Sequence, residues 1–140
     1  MDRSIRLADG TMLNPPVATA LMLQAADVKH DDTVLFIGSA DSYAATLLAT
    51  RAKVAAARTI ENMAAGSFSL IFIDGAVEEL PDSLVSAAQE GGRIVTGLVE
   101  GSVTSLASGV VRNGKVALRH FADSEIAVLP QFARKPEFVF

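Results

Sequence analysis

Short apolar runs that end in a glycine or an aspartate recur along this chain, separated by segments with helical spacing. Thr33 to Ile37 ends at Gly38, and Phe68 to Ile73 ends at Asp74-Gly75. Runs of this length are typical of strands that are buried on both faces of a parallel sheet. The pattern therefore predicts an α/β fold in which Gly38 and Asp74 lie at the carboxyl edge of the sheet, where ligands bind in such folds.

Helices are predicted around the first of these runs. Asn14-Pro15-Pro16 is extended, since a residue before proline is biased away from helix, and a helix follows with Pro16 in its first turn. The side of this helix that is predicted to face the core consists of Val17, Ala20, Leu21, Leu23 and Gln24. His30-Asp31-Asp32 is interpreted as a solvated turn. A second helix is predicted to open near Tyr43, and a short one spans Pro81 to Ala88.

The last third of the chain changes to strand patterns. Gly91-Gly92 predicts a tight turn into a third buried strand, Arg93 to Leu98. Asn113-Gly114 separates Val103 to Arg112 from Lys115 to Phe121, and this dipeptide is the strongest short-range signal for a type I′ hairpin. We therefore expect one domain over residues 1–140, with parallel core strands and a C-terminal antiparallel hairpin.

Two shorter segments complete the predicted sheet, and one of them can be interpreted in two ways. Lys53 to Arg58 is either a weak strand followed by a short helix at Ile60 to Ala65, or part of one long alanine-rich helix. Strand–helix–strand crossovers are almost always right-handed, which favours the strand if the strand of Asp74 lies on the other side of the first strand, as the family resemblance described below implies. An exposed sheet edge would result. Ile126 to Leu129 predicts one more short strand.

Composition narrows the classes of function. Half of the 140 residues are hydrophobic and the mean hydropathy is +0.35, which predicts apolar surface and hence a homodimer. No apolar run reaches the roughly 20 residues that cross a bilayer, so we expect a cytoplasmic protein without a membrane partner. The net charge of −4 disfavours nucleic acid. The chain lacks cysteine and has two histidines, His30 and His120, which disfavours thiolate chemistry and a transition-metal site.

Motifs of a known family follow one another along nearly the whole chain. They are Asn14-Pro15-Pro16 leading to Ala20-Leu21-Met22, Val34 to Tyr43 with an Ala/Leu helix after it, Phe68 to Ala76 leading to Leu80-Pro81, Gly91 to Val95, and Leu129 to Phe132. In this order they resemble the class I S-adenosylmethionine-dependent methyltransferases, and more narrowly the short, divergent bacterial relatives of protein-L-isoaspartate O-methyltransferase. The resemblance implies a truncated Rossmann-like sheet and methyl transfer from S-adenosylmethionine to a peptide or protein carboxylate.

The resemblance also implies which residues form the site. The cofactor would be bound by the turn after the first strand and by the end of the Asp74 strand, through Gly38, Ser39, Ala40, Ser42, Tyr43 and Asp74. Asn14 and Asp74 would be the catalytic residues, and Asn14 stands where the family carries a hydroxyl side chain close to the isoaspartyl carboxylate. Asp41 is the candidate N-cap of the helix, and Tyr43 is expected to anchor that helix.

Several positions depart from the pattern of the family. Its turn reads Gly-x-Gly-x-Gly-Tyr, whereas Ala40 and Ser42 replace the second and third glycine here, and a positive φ at Ser42 would cost about 1–2 kcal/mol. The acid that the family uses to bind the ribose falls at Arg58, and Glu61 is the nearest acid. The interval before Phe68 is too short for the second helix and third strand of the family. The alternative is therefore an inactive methyltransferase-like pseudoenzyme that acts as a dimeric binding or scaffold module.

Overall fold

The computed structural model describes residues 5–6, 12–59, 63, 66–129 and 132. In chain order, the elements within these ranges are β1 (Ile5–Arg6), β2 (Met12–Leu13), α1 (Pro16–Ala26), β3 (Thr33–Ile37), α2 (Tyr43–Ala49), β4 (Lys53–Ala57), β5 (Phe68–Val77), α3 (Asp82–Ser86), β6 (Ala88–Glu100), β7 (Val103–Arg112), β8 (Lys115–Val116) and β9 (Arg119–Asp123). Within them, no helix combines the length and the apolar character that crossing a membrane requires.

The main sheet has a parallel centre and an antiparallel end. Its order is β4-β3-β5-β6-β7-β8, and β9 also pairs with β7. The strands β4, β3, β5 and β6 run parallel, whereas β7 is antiparallel to β6, β8 and β9. The predicted fold class, a truncated Rossmann-like sheet with a C-terminal antiparallel hairpin, is confirmed.

The strand interpretation of the middle of the chain is confirmed. Lys53–Ala57 pairs with β3 over its whole length, from Thr33 opposite Lys53 to Ile37 opposite Ala57. Pairing with a central strand therefore outweighs the preference of alanine for helix, because β-propensity depends strongly on context. The helix predicted at residues 60–65 lies outside the described residues, apart from Met63.

Both faces of the central strands are buried, as the continuous apolar runs predicted. On one face, α1 and α2 cover side chains such as Phe36 and Phe72, whose rings stack with centroids 5.5 Å apart. On the other face, α3 and Phe132 pack against Ile37 and Ile73. The sheet is thereby packed between two layers, which fix the positions of the residues at its carboxyl edge.

The predicted core-facing side of α1 was wrong in part: Leu21 and Leu23 pack against the core as predicted, but the centre of the buried side lies elsewhere. The buried residues of this helix are Ala18, Met22 and Ala26, whereas Val17 is 51% exposed and Gln24 is exposed. The helix is apolar on most sides, so spacing alone could not determine its rotation.

Two glycine-containing dipeptides lie inside strands: Asp74-Gly75, where an apolar run was predicted to end, and Gly91-Gly92, where a turn was predicted. The strand β5 continues through Asp74-Gly75 to Val77, and β6 includes Gly91-Gly92. In both places the register between β5 and β6 shifts, so the glycines mark irregularities in a continuous ladder. The carboxyl end of β5 consequently extends beyond Asp74.

The predicted C-terminal hairpin is confirmed in its turn, but its second strand is interrupted. Asn113 and Gly114 have φ angles of 54° and 73°, as a type I′ turn requires at both central positions. The returning chain is split into β8 and β9 with a register shift against β7. Instead of a strand, Ile126 to Leu129 makes one bridge, in which Val128 pairs with Ala76.

Candidate functional site

The candidate site lies where the carboxyl ends of β3, β4 and β5 meet. Gly38 directly follows β3, and its N–H donates a 2.9 Å hydrogen bond to the carbonyl of Ala57 at the end of β4. A Cβ at Gly38 would lie 2.9 Å from Cε1 of Phe36 and 3.1 Å from Cβ of Asp74, and its φ is 153°. Position 38 therefore requires glycine, because the backbone passes directly beside Asp74.

Asn14 and Asp74, the two predicted catalytic residues, are in direct contact. The Asn14 amide nitrogen Nδ2 donates to Oδ1 of Asp74 at 2.8 Å and to the carbonyl of Asp74 at 3.1 Å. Its Oδ1 accepts from the N–H of Ala127 at 2.7 Å. One side chain thus joins three segments that are distant in sequence, namely the entry to α1, β5 at Asp74, and residues 126–129, here named the C-terminal segment.

The carboxyl of Asp74 lies in a half-buried position at this edge. Burial raises the pKa of Asp74 above its usual range because it disfavours the charged form, and the hydrogen bond from Asn14 offsets part of that effect. A carboxyl that is shielded from water and oriented by an amide is a typical feature of a binding or catalytic site, although structural networks can perturb a pKa too.

Ser42 has a role that the sequence did not predict. It is the N-cap of α2, with a φ of −68°, and its Oγ accepts from the N–H of Ala45 at 3.1 Å. Both related predictions were therefore wrong: Ser42 has no positive φ to strain it, and Asp41 is not the cap. Among residues 38–42, all of which are described, positive φ occurs at Gly38.

Tyr43 and Ala40 lie at the surface of the site. The side chain of Tyr43 is 69% exposed, so the prediction that it anchors α2 was wrong. Buried residues on the opposite side of the helix, among them Ala45 and Leu48, provide the anchor. The ring of Tyr43 is consequently accessible beside the turn that follows β3.

A positive charge occupies the end of β4. Arg58 follows Ala57, and its Nη2 lies 3.5 Å from Oγ of Ser39, which makes a long hydrogen bond across the two strand ends. The N–H of Asp41 also donates to this hydroxyl, at 3.3 Å. The resemblance implies an acid at the position of Arg58, so the charge here is opposite to that expectation. Glu61 lies outside the described residues.

The C-terminal segment borders the site, which sequence reasoning missed. The Ala76 N–H donates a hydrogen bond to the carbonyl of Ala127 at 2.7 Å, and the Leu129 N–H donates one to the carbonyl of Ala76 at 2.9 Å. Since β6 occupies the other edge of β5, this segment lies on the side of β3, beyond its end. Gly75 was the available signal, because a Cβ there would lie 2.5 Å from Cγ of Leu129.

The parallel strands, the helices on both faces and the glycine that follows β3 match the fold of the class I methyltransferases. More specifically, the fold is that of the protein-L-isoaspartate O-methyltransferases. A protein from Plasmodium falciparum assigned to this activity, in complex with S-adenosyl-L-homocysteine, superimposes with a TM-score of 0.71 and 18% identity, covering 94% of this chain and 81% of the other.

A second protein-L-isoaspartate O-methyltransferase superimposes with a TM-score of 0.73 and 12% identity, covering 95% of this chain. The chain spans 54% of the length of that protein. In sequence, no family model matches the chain, and no curated protein matches it either. At these identities the likeness establishes the fold alone.

Proposed function

We propose that this protein binds S-adenosylmethionine at the carboxyl edge of β3 and β5 and transfers its methyl group to a carboxylate, in the manner of a protein-L-isoaspartate O-methyltransferase. The observation that carries the proposal is the contact between Asn14 and Asp74 beside Gly38. Three segments that are distant in sequence contribute to this arrangement. The structural neighbour with bound S-adenosyl-L-homocysteine supports the same ligand class.

The residues at this edge fit most of such a cofactor. Gly38 leaves room for close approach of a ligand to the backbone, and Tyr43 offers an accessible aromatic face. Asp74 supplies a carboxyl that can face the positively charged methionine end. When bound, the cofactor supplies a methyl group that its sulfonium already activates. Arg58 is the residue that fits least, because a guanidinium cannot accept hydrogen bonds from ribose hydroxyls.

For methyl transfer, the main task of the protein is to align the cofactor with the acceptor carboxylate, since holding the two reactants in position supplies much of the rate. In this arrangement, Asn14 is a positioning residue for Asp74. Its Nδ2 is directed at two oxygens of Asp74 and its Oδ1 at Ala127, so its polar groups already have partners within the protein. Asp74 then orients the cofactor while the acceptor carboxylate approaches along the edge of the sheet.

Calorimetric titration with S-adenosylhomocysteine tests the proposal at its first step. The wild-type protein should bind saturably, and Gly38→Ala should weaken binding at least tenfold, because the added Cβ meets Phe36 and Asp74. Gly101→Ala is the matched control: Gly101 also has positive φ, at 62°, but nothing lies within 4 Å of its Cβ position. If millimolar ligand produces no heat of binding and no shift in melting temperature, the proposal is refuted.

Turnover distinguishes an active enzyme from the pseudoenzyme alternative. The protein should transfer a labelled methyl group to a peptide that contains isoaspartate, and transfer should be far slower to the same peptide with aspartate. Ligand binding without transfer to any carboxyl peptide would instead favour a binding module.

A homodimer remains the predicted partner. Exposed apolar side chains on the strands, including Val103 at 65% and Phe121 at 38%, are compatible with it. Sedimentation velocity over a hundredfold range of concentration should therefore give the mass of a dimer, and a monomer throughout that range would contradict the prediction.

A further inference from the structure

Arg58 places a guanidinium at the end of the strand next to β3. The residue is exposed and comes directly after β4, whose last carbonyl accepts the hydrogen bond from Gly38. Its side chain reaches towards the turn after β3, where it meets Ser39. A cation and a hydroxyl, both of which donate hydrogen bonds, therefore lie side by side at the edge of the candidate nucleoside site.

The residue at this location has a general role in open α/β sheets that bind nucleotides. A carboxylate after the second strand of the unit accepts hydrogen bonds from free ribose hydroxyls, whereas an arginine nearby accommodates a phosphate on the ribose. The difference is physical, because guanidinium donates to phosphate oxygens in a planar, charge-assisted pair and a carboxylate repels them.

We propose that Arg58 is a specificity-determining residue, which makes this edge favour an adenosine ligand with a phosphorylated ribose over one with a free ribose diol. The inference goes beyond the proposed function, with which it shares the edge of the sheet but not the cofactor. Ser39 would donate its hydroxyl to the same phosphate. Asp41, exposed in the same turn, carries a charge that opposes an anion, so removal of that charge should strengthen the preference.

Calorimetry with four probes tests the inference: adenosine, adenosine 2′-monophosphate, adenosine 3′-monophosphate and S-adenosylhomocysteine. The wild-type protein should bind at least one of the two phosphates more than tenfold tighter than adenosine. Arg58→Glu should abolish this preference and should tighten S-adenosylhomocysteine severalfold, because it restores an acceptor for the ribose hydroxyls. Asp41→Asn should increase the preference for phosphate.

Arg51→Glu is the matched control for charge. Arg51 is exposed and precedes the start of β4, so it lies at the opposite end of the strand that Arg58 follows. The substitution changes the net charge of the protein by the same amount, and it should leave all four affinities unchanged. Melting temperatures of the three variants, measured without ligand, verify that each of them is folded.

Three results would overturn the inference: equal affinity of the wild-type protein for adenosine and both phosphates, an unchanged preference in Arg58→Glu, or an equal loss in Arg51→Glu. Failure of the proposed function can be distinguished from failure of this inference. If S-adenosylhomocysteine binds while the phosphates show no preference, the proposed function stands and this inference is wrong. If the phosphates bind through Arg58 while S-adenosylhomocysteine binds no variant, the inference stands and the proposed cofactor is wrong. If no probe binds any variant, both are wrong.

Discussion

Asp32 is predicted to stabilise the fold by an amount that depends on pH. The sequence suggested a solvated turn for this residue, but it is 7% exposed and directly precedes β3, at the end of the sheet opposite to the candidate site. Its carboxylate accepts hydrogen bonds from Arg93 at 2.9 Å, from Ser69 at 2.7 Å and from the N–H of Lys29 at 2.8 Å. Replacement of Asp32 by Asn removes the charge and retains the shape.

The magnitude follows from the pKa of Asp32. Burial by itself would raise this pKa, but the hydrogen bonds from Arg93, Lys29 and Ser69 and the charge of Arg93 outweigh burial and lower the pKa from 3.8 to about 2. At about 1.4 kcal/mol for each pH unit, the charged form of Asp32 contributes about 2 kcal/mol to the free energy of unfolding. Because the pKa is lower in the folded state, this contribution is complete above pH 4 and is lost as the pH falls towards 2.

Urea denaturation at a series of pH values between 7 and 2 measures this effect. The difference in unfolding free energy between the wild-type protein and Asp32→Asn should shrink by about 2 kcal/mol over the acidic part of this range. Asp31→Asn is the control, because Asp31 is an exposed neighbour, and its difference from wild type should stay nearly constant. An equal pH dependence in wild type and Asp32→Asn would refute the reasoning.

Three further substitutions test individual contacts. Asn14→Ala should lower the unfolding free energy by about 1–3 kcal/mol and raise the pKa of Asp74 further, as urea denaturation and NMR titration of that carboxyl would show; an unchanged pKa would contradict the role of Asn14. Ser42→Ala should destabilise the protein by about 1 kcal/mol and Ser42→Gly by a few tenths, since glycine also caps helices, and thermal melts that rank them in the opposite order would exclude the cap. Gly75→Ala should cost about 1–3 kcal/mol in denaturant titrations, and Leu129→Ala should restore part of this loss in the double variant; strict additivity would mean that the two residues do not collide.

Local patterns were sufficient wherever one interaction dominated. The apolar runs at Thr33–Ile37 and Phe68–Ile73 had to be buried on both faces, and they are. Asn113-Gly114 favours positive φ at two successive residues, so the hairpin turn formed where it was predicted. The weak strand at Lys53–Ala57 needed one topological argument in addition, namely the handedness of the crossover.

Local patterns were insufficient wherever two answers were locally equivalent. The rotation of α1 could not be read from a helix that is apolar on most sides. Serine at position 42, where the family has glycine, is compatible with either a strained backbone or a helix N-cap. Only the backbone conformation distinguishes the two. Asp32 belongs to the same group, since its partners Ser69 and Arg93 come from two later strands.

By itself, the sequence determined the parallel α/β core, the hairpin and the position of Gly38 at the end of a buried strand, because hydrophobic period and turn chemistry act over a few neighbouring residues. Only the tertiary structure decided what surrounds that glycine. The contact of Asn14 with Asp74, the hydrogen bond of Leu129 to Ala76 in β5, and the approach of Arg58 to Ser39 join residues that are 19 to 60 positions apart. Such contacts depend on strand order and register, which no local pattern encodes.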